Sequence, residues 1–90
     1  MNKIIITVVG KDTVGIIAKV CTYLADKKVN ILDISQTIVQ DYFNMMMIVD
    51  MSGASVPFEE LSGSLEQIGE DIGVKVKCQR EEIFTSMHRI

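Results

Sequence analysis

Apolar positions along the chain recur with two periods, and the period changes at each turn signal. Ile4-Ile5-Ile6-Thr7-Val8-Val9 is almost wholly β-branched and apolar at both parities, which predicts a strand over 4–9 buried on both faces in the middle of a sheet. Gly10-Lys11-Asp12-Thr13 reads as a turn, with Asp12 or Thr13 expected to cap a helix. Over 14–27, Ile17, Val20, Cys21 and Leu24 follow the i, i+3, i+4, i+7 spacing of one helical face. Lys27 and Lys28 are expected in its last turn, where they complement the negative end of the dipole. Over 31–39, Leu32, Ile34 and Ile38 alternate with Asp33, Ser35 and Thr37, predicting a half-buried edge strand entered from Asn30.

Gln40-Asp41-Tyr42 is short and polar enough for a hairpin turn, although it lacks an Asn-Gly pair. A second central strand is predicted over 43–51, with Phe43, Met45, Met47 and Val49 on one face and Met46 and Ile48 on the other. Pro57 stands at a helix start, where its missing N–H does no harm. Phe58, Leu61, Leu65, Ile68 and Ile72 then step by three and four until Gly73 ends the helix. Gly63 and Gly69 inside it are each expected to cost about 1 kcal/mol relative to alanine. Val74-Lys75-Val76-Lys77-Cys78-Gln79 alternates strictly, as an edge strand with charged outward residues does.

The order is β-α-β-β-α-β. Right-handed crossovers with two central and two edge strands lead to an antiparallel sheet in order 4-1-3-2 with both helices on one face, the ferredoxin-like α+β fold. It occupies residues 1–80. A tail over 81–90 repeats Ile83, Phe84, Met87 and Ile90 on one helical face. A helix this short must dock or fray, and the helix-free sheet face with Met46 and Ile48 is the expected acceptor.

Composition narrows the function. The 90 residues are 48% hydrophobic and 23% charged, which excludes a disordered linker and loads a small domain with more apolar surface than one core needs. A net charge of −3 argues against a nucleic-acid partner. The first apolar run is too short and wrongly flanked for a signal peptide or a membrane span, so a cytoplasmic location without membrane contact is expected. Cys21 and Cys78 have no CxxC spacing and read as reduced core thiols.

Candidate chemistry is sparse. RNA recognition needs stacked aromatics on the central strands, and these carry only Phe43. An acylphosphatase-like site needs an arginine after the first strand, and no arginine precedes Arg80, so Asn44 stands alone. His88 has no acid fixed beside it. Met45-Met46-Met47 alternate faces in a strand and cannot converge on a metal ion. The expectation is no enzyme, no cofactor and no metal.

Three blocks in order carry a family resemblance: Val9-Gly10-Lys11-Asp12-Thr13-Val14-Gly15-Ile16-Ile17-Ala18, Val29-Asn30-Ile31-Leu32-Asp33-Ile34, and Phe43-Asn44-Met45-Met46-Met47-Ile48-Val49-Asp50. Over residues 3–79 the chain resembles an ACT domain, the small regulatory module that senses amino acids. The tail resembles the ending of stand-alone bacterial and archaeal ACT proteins, and the whole is similar to the ACT domains of the glycine-cleavage repressor. Val14 departs from the proline that often precedes the second turn glycine.

The resemblance implies a small-molecule ligand, an amino acid, enclosed at a homodimer interface. Gly10, Lys11, Asp12, Thr13, Val14, Gly15 and Ile16 of one subunit would face Asn30 and Ile31 of its partner. The chemistry suits a zwitterion. N–H groups at a helix start bind a carboxylate, while Asp12 and the Asn30 amide accept from an ammonium. Each residue also has a plain structural reading: Asp12 caps the helix, Gly15 lets helix and strand pack, and Asn30 turns the chain. The dimer is expected to bury Met46, Ile48, Ile83, Phe84, Met87 and Ile90, and a separate regulated protein is a further expected partner. The alternative is a ligand-free dimerisation or interaction module.

Overall fold

The computed structural model describes residues 2–11 and 15–81. Its elements are β1 (Lys3–Lys11), α1 (Ile16–Asp26), β2 (Asn30–Val39), β3 (Tyr42–Asp50), α2 (Phe58–Ile72) and β4 (Val74–Arg80). Every sheet pairing is antiparallel, and the order β2-β3-β1-β4 is the expected 4-1-3-2 read from the other edge. The fold is ferredoxin-like.

One parity of each central strand builds the core. Ile4, Ile6 and Val8 of β1 and Phe43, Met45, Met47 and Val49 of β3 meet Ile16, Val20 and Leu24 of α1 and Leu61 and Leu65 of α2. Val74 and Val76 of β4 close the same cluster, so both helices lie on one face of the sheet. Burying each such side chain contributes about 1.5–3 kcal/mol. On the opposite face Ile5 is only 4% exposed, between Ile48 and Gln79 in register, whereas Val9 at the strand end is open to solvent. Burial of β1 on both sides therefore holds in its middle and lapses at its end.

The structure corrects several local expectations. Gly10 and Lys11 continue β1 rather than turning, because they still pair with Phe43 and Tyr42. α1 starts at Ile16 from an N-cap at Gly15, not at Asp12 or Thr13, which lie outside the described residues. Its buried ridge is Ile16, Val20 and Leu24 at i, i+4, i+8, which leaves Ile17 on the open side. Lys27 and Lys28 follow the helix instead of closing it, and Lys28 takes φ 61°. The hairpin is tighter than expected. Gln40 and Asp41 alone make the turn, at φ 48° and 73°, the left-handed pair that two-residue hairpins favour.

Two departures matter more. Gly69 is not a bare cost: a Cβ there would lie 2.7 Å from the Val74 carbonyl oxygen and 2.8 Å from Val76 Cγ2, so the glycine lets α2 seat on β4. And β2 is not half-buried. Leu32, Ile34, Ile38 and Val39 are 41%, 40%, 58% and 64% exposed, because the helix layer covers β3, β1 and β4 and β2 reaches beyond it. Only Ile31, before a bulge at Leu32, packs against the core. Among the described residues no helix is long and apolar enough to cross a membrane.

Candidate functional site

The expected loop begins where β1 ends. Lys11 lies exposed in register with Tyr42, which pairs in turn with Val39, so this row marks one end of the sheet. Gly10, one residue back, has a structural reason to be glycine: a Cβ would stand 2.8 Å from Val74 Cγ1 and 3.0 Å from its Cα. Asp12, Thr13 and Val14 lie outside the described residues. Gly15 holds φ 89°, a left-handed conformation, and, its chain neighbours aside, no atom of the described residues lies within 4 Å of where its Cβ would be. Helix–strand packing is therefore not its reason. The turn needs its backbone freedom.

A helix leaves its first N–H groups without intrahelical acceptors, and a glycine N-cap brings no side chain to take one. Among the described residues no side chain caps these N–H groups and the first turn carries no acidic residue, so the start of α1 is a positive dipole end that favours an anion. Ile16 contributes backbone only, since its side chain is sunk in the core.

Asn30 and Ile31 mark the other end. Asn30 opens β2, exposed, directly opposite Asp50, so their side chains share the helix-free face. Ile31, opposite Val49, is half-buried against the core. Asp50 was not singled out from the sequence. Its Oδ1 accepts from the Ser52 hydroxyl at 2.7 Å, the Ser52 N–H at 3.0 Å and the Asn2 N–H at 3.2 Å. The Ser52 hydroxyl and N–H, with help from Asn2, hold this carboxyl below the usual range. The Asp-x-Ser spacing of a local side-chain turn was the available signal. An ionised carboxylate thus stands beside the Asn30 amide, two acceptors fit for an ammonium.

Within one chain the two halves do not meet. The Lys11-Tyr42-Val39 row and the Lys3-Asp50-Asn30 row bound opposite ends of β3, about 26 Å apart at strand rise. On the helix-free face Met46 is exposed and Ile48 half-buried, while Ile83, Phe84, Met87 and Ile90 lie outside the described residues, as does His88. A shallow groove of about 450 Å³ between α1 and α2, lined by Ala18, Lys19, Thr22, Tyr23, Asp26 and Ile68, shares no residue with either half. Cys21 and Cys78 are free and half-buried. Burial pushes the Cys78 thiol up to about 12, the reverse of what a nucleophile needs.

Comparison with known proteins agrees with this fold. A family model described as ACT domain matches residues 2–79. The UPF0237 protein of Bifidobacterium longum is 68% identical over 90 residues, covering all of both chains. The solved ACT domain protein from Streptococcus pneumoniae is 43% identical, with a TM-score of 0.80 over 92% of this chain and 93% of that one. The regulatory subunit of aspartate kinase from Thermus thermophilus shares the fold at 24% identity, with a TM-score of 0.67 over 87% of this chain and 50% of its own.

Proposed function

The chain belongs to the ACT domain family, and on that footing we propose that it is a non-enzymatic regulatory domain binding an amino acid at a homodimer interface. The observation that carries the reading is the separation of the two half-sites. Gly15 and the α1 start offer carboxylate donors at one end of the sheet, and Asn30, Ile31 and Asp50 offer ammonium acceptors at the other. A zwitterion needs both, and a second chain running the opposite way supplies the missing half. Lys11, Asp12, Thr13 and Val14 line the loop side, and Gly10 shapes it by admitting β4. The dimer buries Met46 and Ile48 together with Ile83, Phe84, Met87 and Ile90 of the tail. The output passes to a separate regulated protein in the cytoplasm.

A thermal-shift screen of the proteinogenic amino acids tests this. Ligand at about 100 times its Kd should stabilise the fold by roughly 2.7 kcal/mol. No shift with any of them replaces the reading with that of a ligand-free dimerisation or interaction module, which the exposed apolar side chains of β2 and Met46 would equally serve.

A further inference from the structure

Both helices pack on one face of the sheet, and among the described residues no element crosses the other. That face should be open, yet one corner of it is closed. Along β1 exposure falls from Val9, at 48%, through the half-buried Thr7 to Ile5, at 4%. Along β4 it falls the same way, from the exposed Lys77 to the half-buried Gln79. Opposite Ile5 on β3 it rises again, to the half-buried Ile48. Side chains stand roughly perpendicular to a sheet, so neighbours in its plane cover the flanks of an isoleucine and leave its tip to solvent. Ile5 is hidden in a single chain, so its cover belongs to the same chain. The closed corner is also where the chain leaves the sheet. At the end of β4, Gln79 lies opposite Ile5 and Arg80 opposite Ile4. The next residue, Glu81, sets its carboxylate 3.8 Å from Lys3 Nζ, and Lys3 has the parity of Ile5, not of the core residues Ile4 and Ile6. The chain therefore turns toward the helix-free face as it ends β4.

We infer that residues 82–90 are a strap that runs back beneath their own sheet, from the end of β4 over Ile5 to Ile48, with Ile83, Phe84, Met87 and Ile90 turned against it. The inference deepens the homodimer reading above by giving each tail to its own subunit. It does not depend on the ligand. The lengths agree: nine helical residues span about 13 Å, while β4 to β3 is two strand spacings, about 10 Å, and β2 lies about 14 Å away. The strap thus reaches Ile48 and stops short of β2, whose apolar side chains stay open. Met46, two residues along β3 from Ile48, lies beside this path instead of under it, which matches its 39% exposure. What the strap leaves uncovered at Met46 and at the edge of Ile48 is what a second copy would bury. The Lys3–Glu81 pair is exposed and adds little stability; it sets the direction in which the chain leaves β4, and apolar burial holds the strap.

Methyl NMR on the full chain tests this. In uniformly labelled protein, the Phe84 ring should show through-space contacts to the Ile5 and Ile48 methyls. A second sample co-refolds chains deuterated except at isoleucine methyls with unlabelled chains, so that only contacts between chains reach those methyls from a Phe84 ring. There the signals should vanish. Phe84→Ala, which alters a residue outside the core described above, should shift the Ile5 and Ile48 methyl resonances more than those of Ile4 and Ile6. Contacts that persist in the mixed sample, contacts absent from both samples, or Ile5 and Ile48 resonances indifferent to Phe84→Ala would each overturn the strap. Sedimentation of the same samples scores the homodimer separately. A monomer that keeps the contacts within its chain retains the strap and removes the homodimer. A dimer whose contacts cross between chains retains the homodimer and removes the strap.

Discussion

Gly63 and Gly69 sit on the same helix and would look alike to any propensity scale. Around Gly63, its own helix backbone aside, no atom of the described residues comes within 4 Å of a would-be Cβ, so Gly63→Ala should gain helix propensity, about 0.5–1 kcal/mol. At Gly69 the Val74 carbonyl oxygen and the Val76 side chain leave no room, and overpacking should outweigh propensity: Gly69→Ala should lose about 1–3 kcal/mol. Urea midpoints that shift in opposite directions are the expected result, and two shifts of the same sign would refute the packing account. Asp50 offers a test by pH. Its folded carboxyl is held below its unfolded value, so its contribution is present above about pH 4 and is lost as pH falls through the lower folded value. Wild-type stability should therefore fall more between pH 6 and pH 3 than that of Asp50→Asn. Parallel losses would mean that the Ser52 and Asn2 hydrogen bonds do not favour the ionised form.

The β2–β3 hairpin depends on two non-glycine residues in left-handed conformation, Gln40 at φ 48° and Asp41 at φ 73°. Asparagine tolerates that region better than glutamine, and glycine better than aspartate, so Gln40→Asn with Asp41→Gly should stabilise the hairpin by about 0.5–1 kcal/mol. Thermal unfolding at fixed concentration reads the gain, and a lower midpoint would contradict it. The same turn explains why the hairpin was visible in the sequence and its length was not. Polarity between two apolar runs marked the break, but Tyr42 belongs to the strand because its backbone pairs with both Lys11 and Val39. α1 repeats the lesson. Its 3.6-residue period was plain, yet which side of the stripe turned inward depended on the start at Ile16, set by the left-handed Gly15.

For the whole molecule, surface area is the governing quantity. A chain of this size has one modest core, and here part of its apolar content lies outside that core, on β2 and at Val9 and Met46. If a second copy covers these positions with help from the tail, a chain ending at Arg80 should dimerise more weakly and bind more of a hydrophobic dye. Sedimentation and dye fluorescence check both, and an unchanged dimer would remove the tail from the interface.

Element order, strand order and the core parity of β1 and β3 were all legible in the sequence, since they follow from local periodicity and from the handedness of crossovers. The left-handed backbone at Gly15 was not. Other properties came from contacts between elements distant along the chain. That Gly10 and Gly69 exist to admit β4 follows from where Val74 and Val76 lie in space. That Asp50 stands beside Asn30 follows from register across β2 and β3. Above all, the alternation in β2 correctly announced a strand and wrongly announced its burial. Periodicity reports which side chains share a face, while burial depends on whether anything covers that face, and here the helix layer stops at β3.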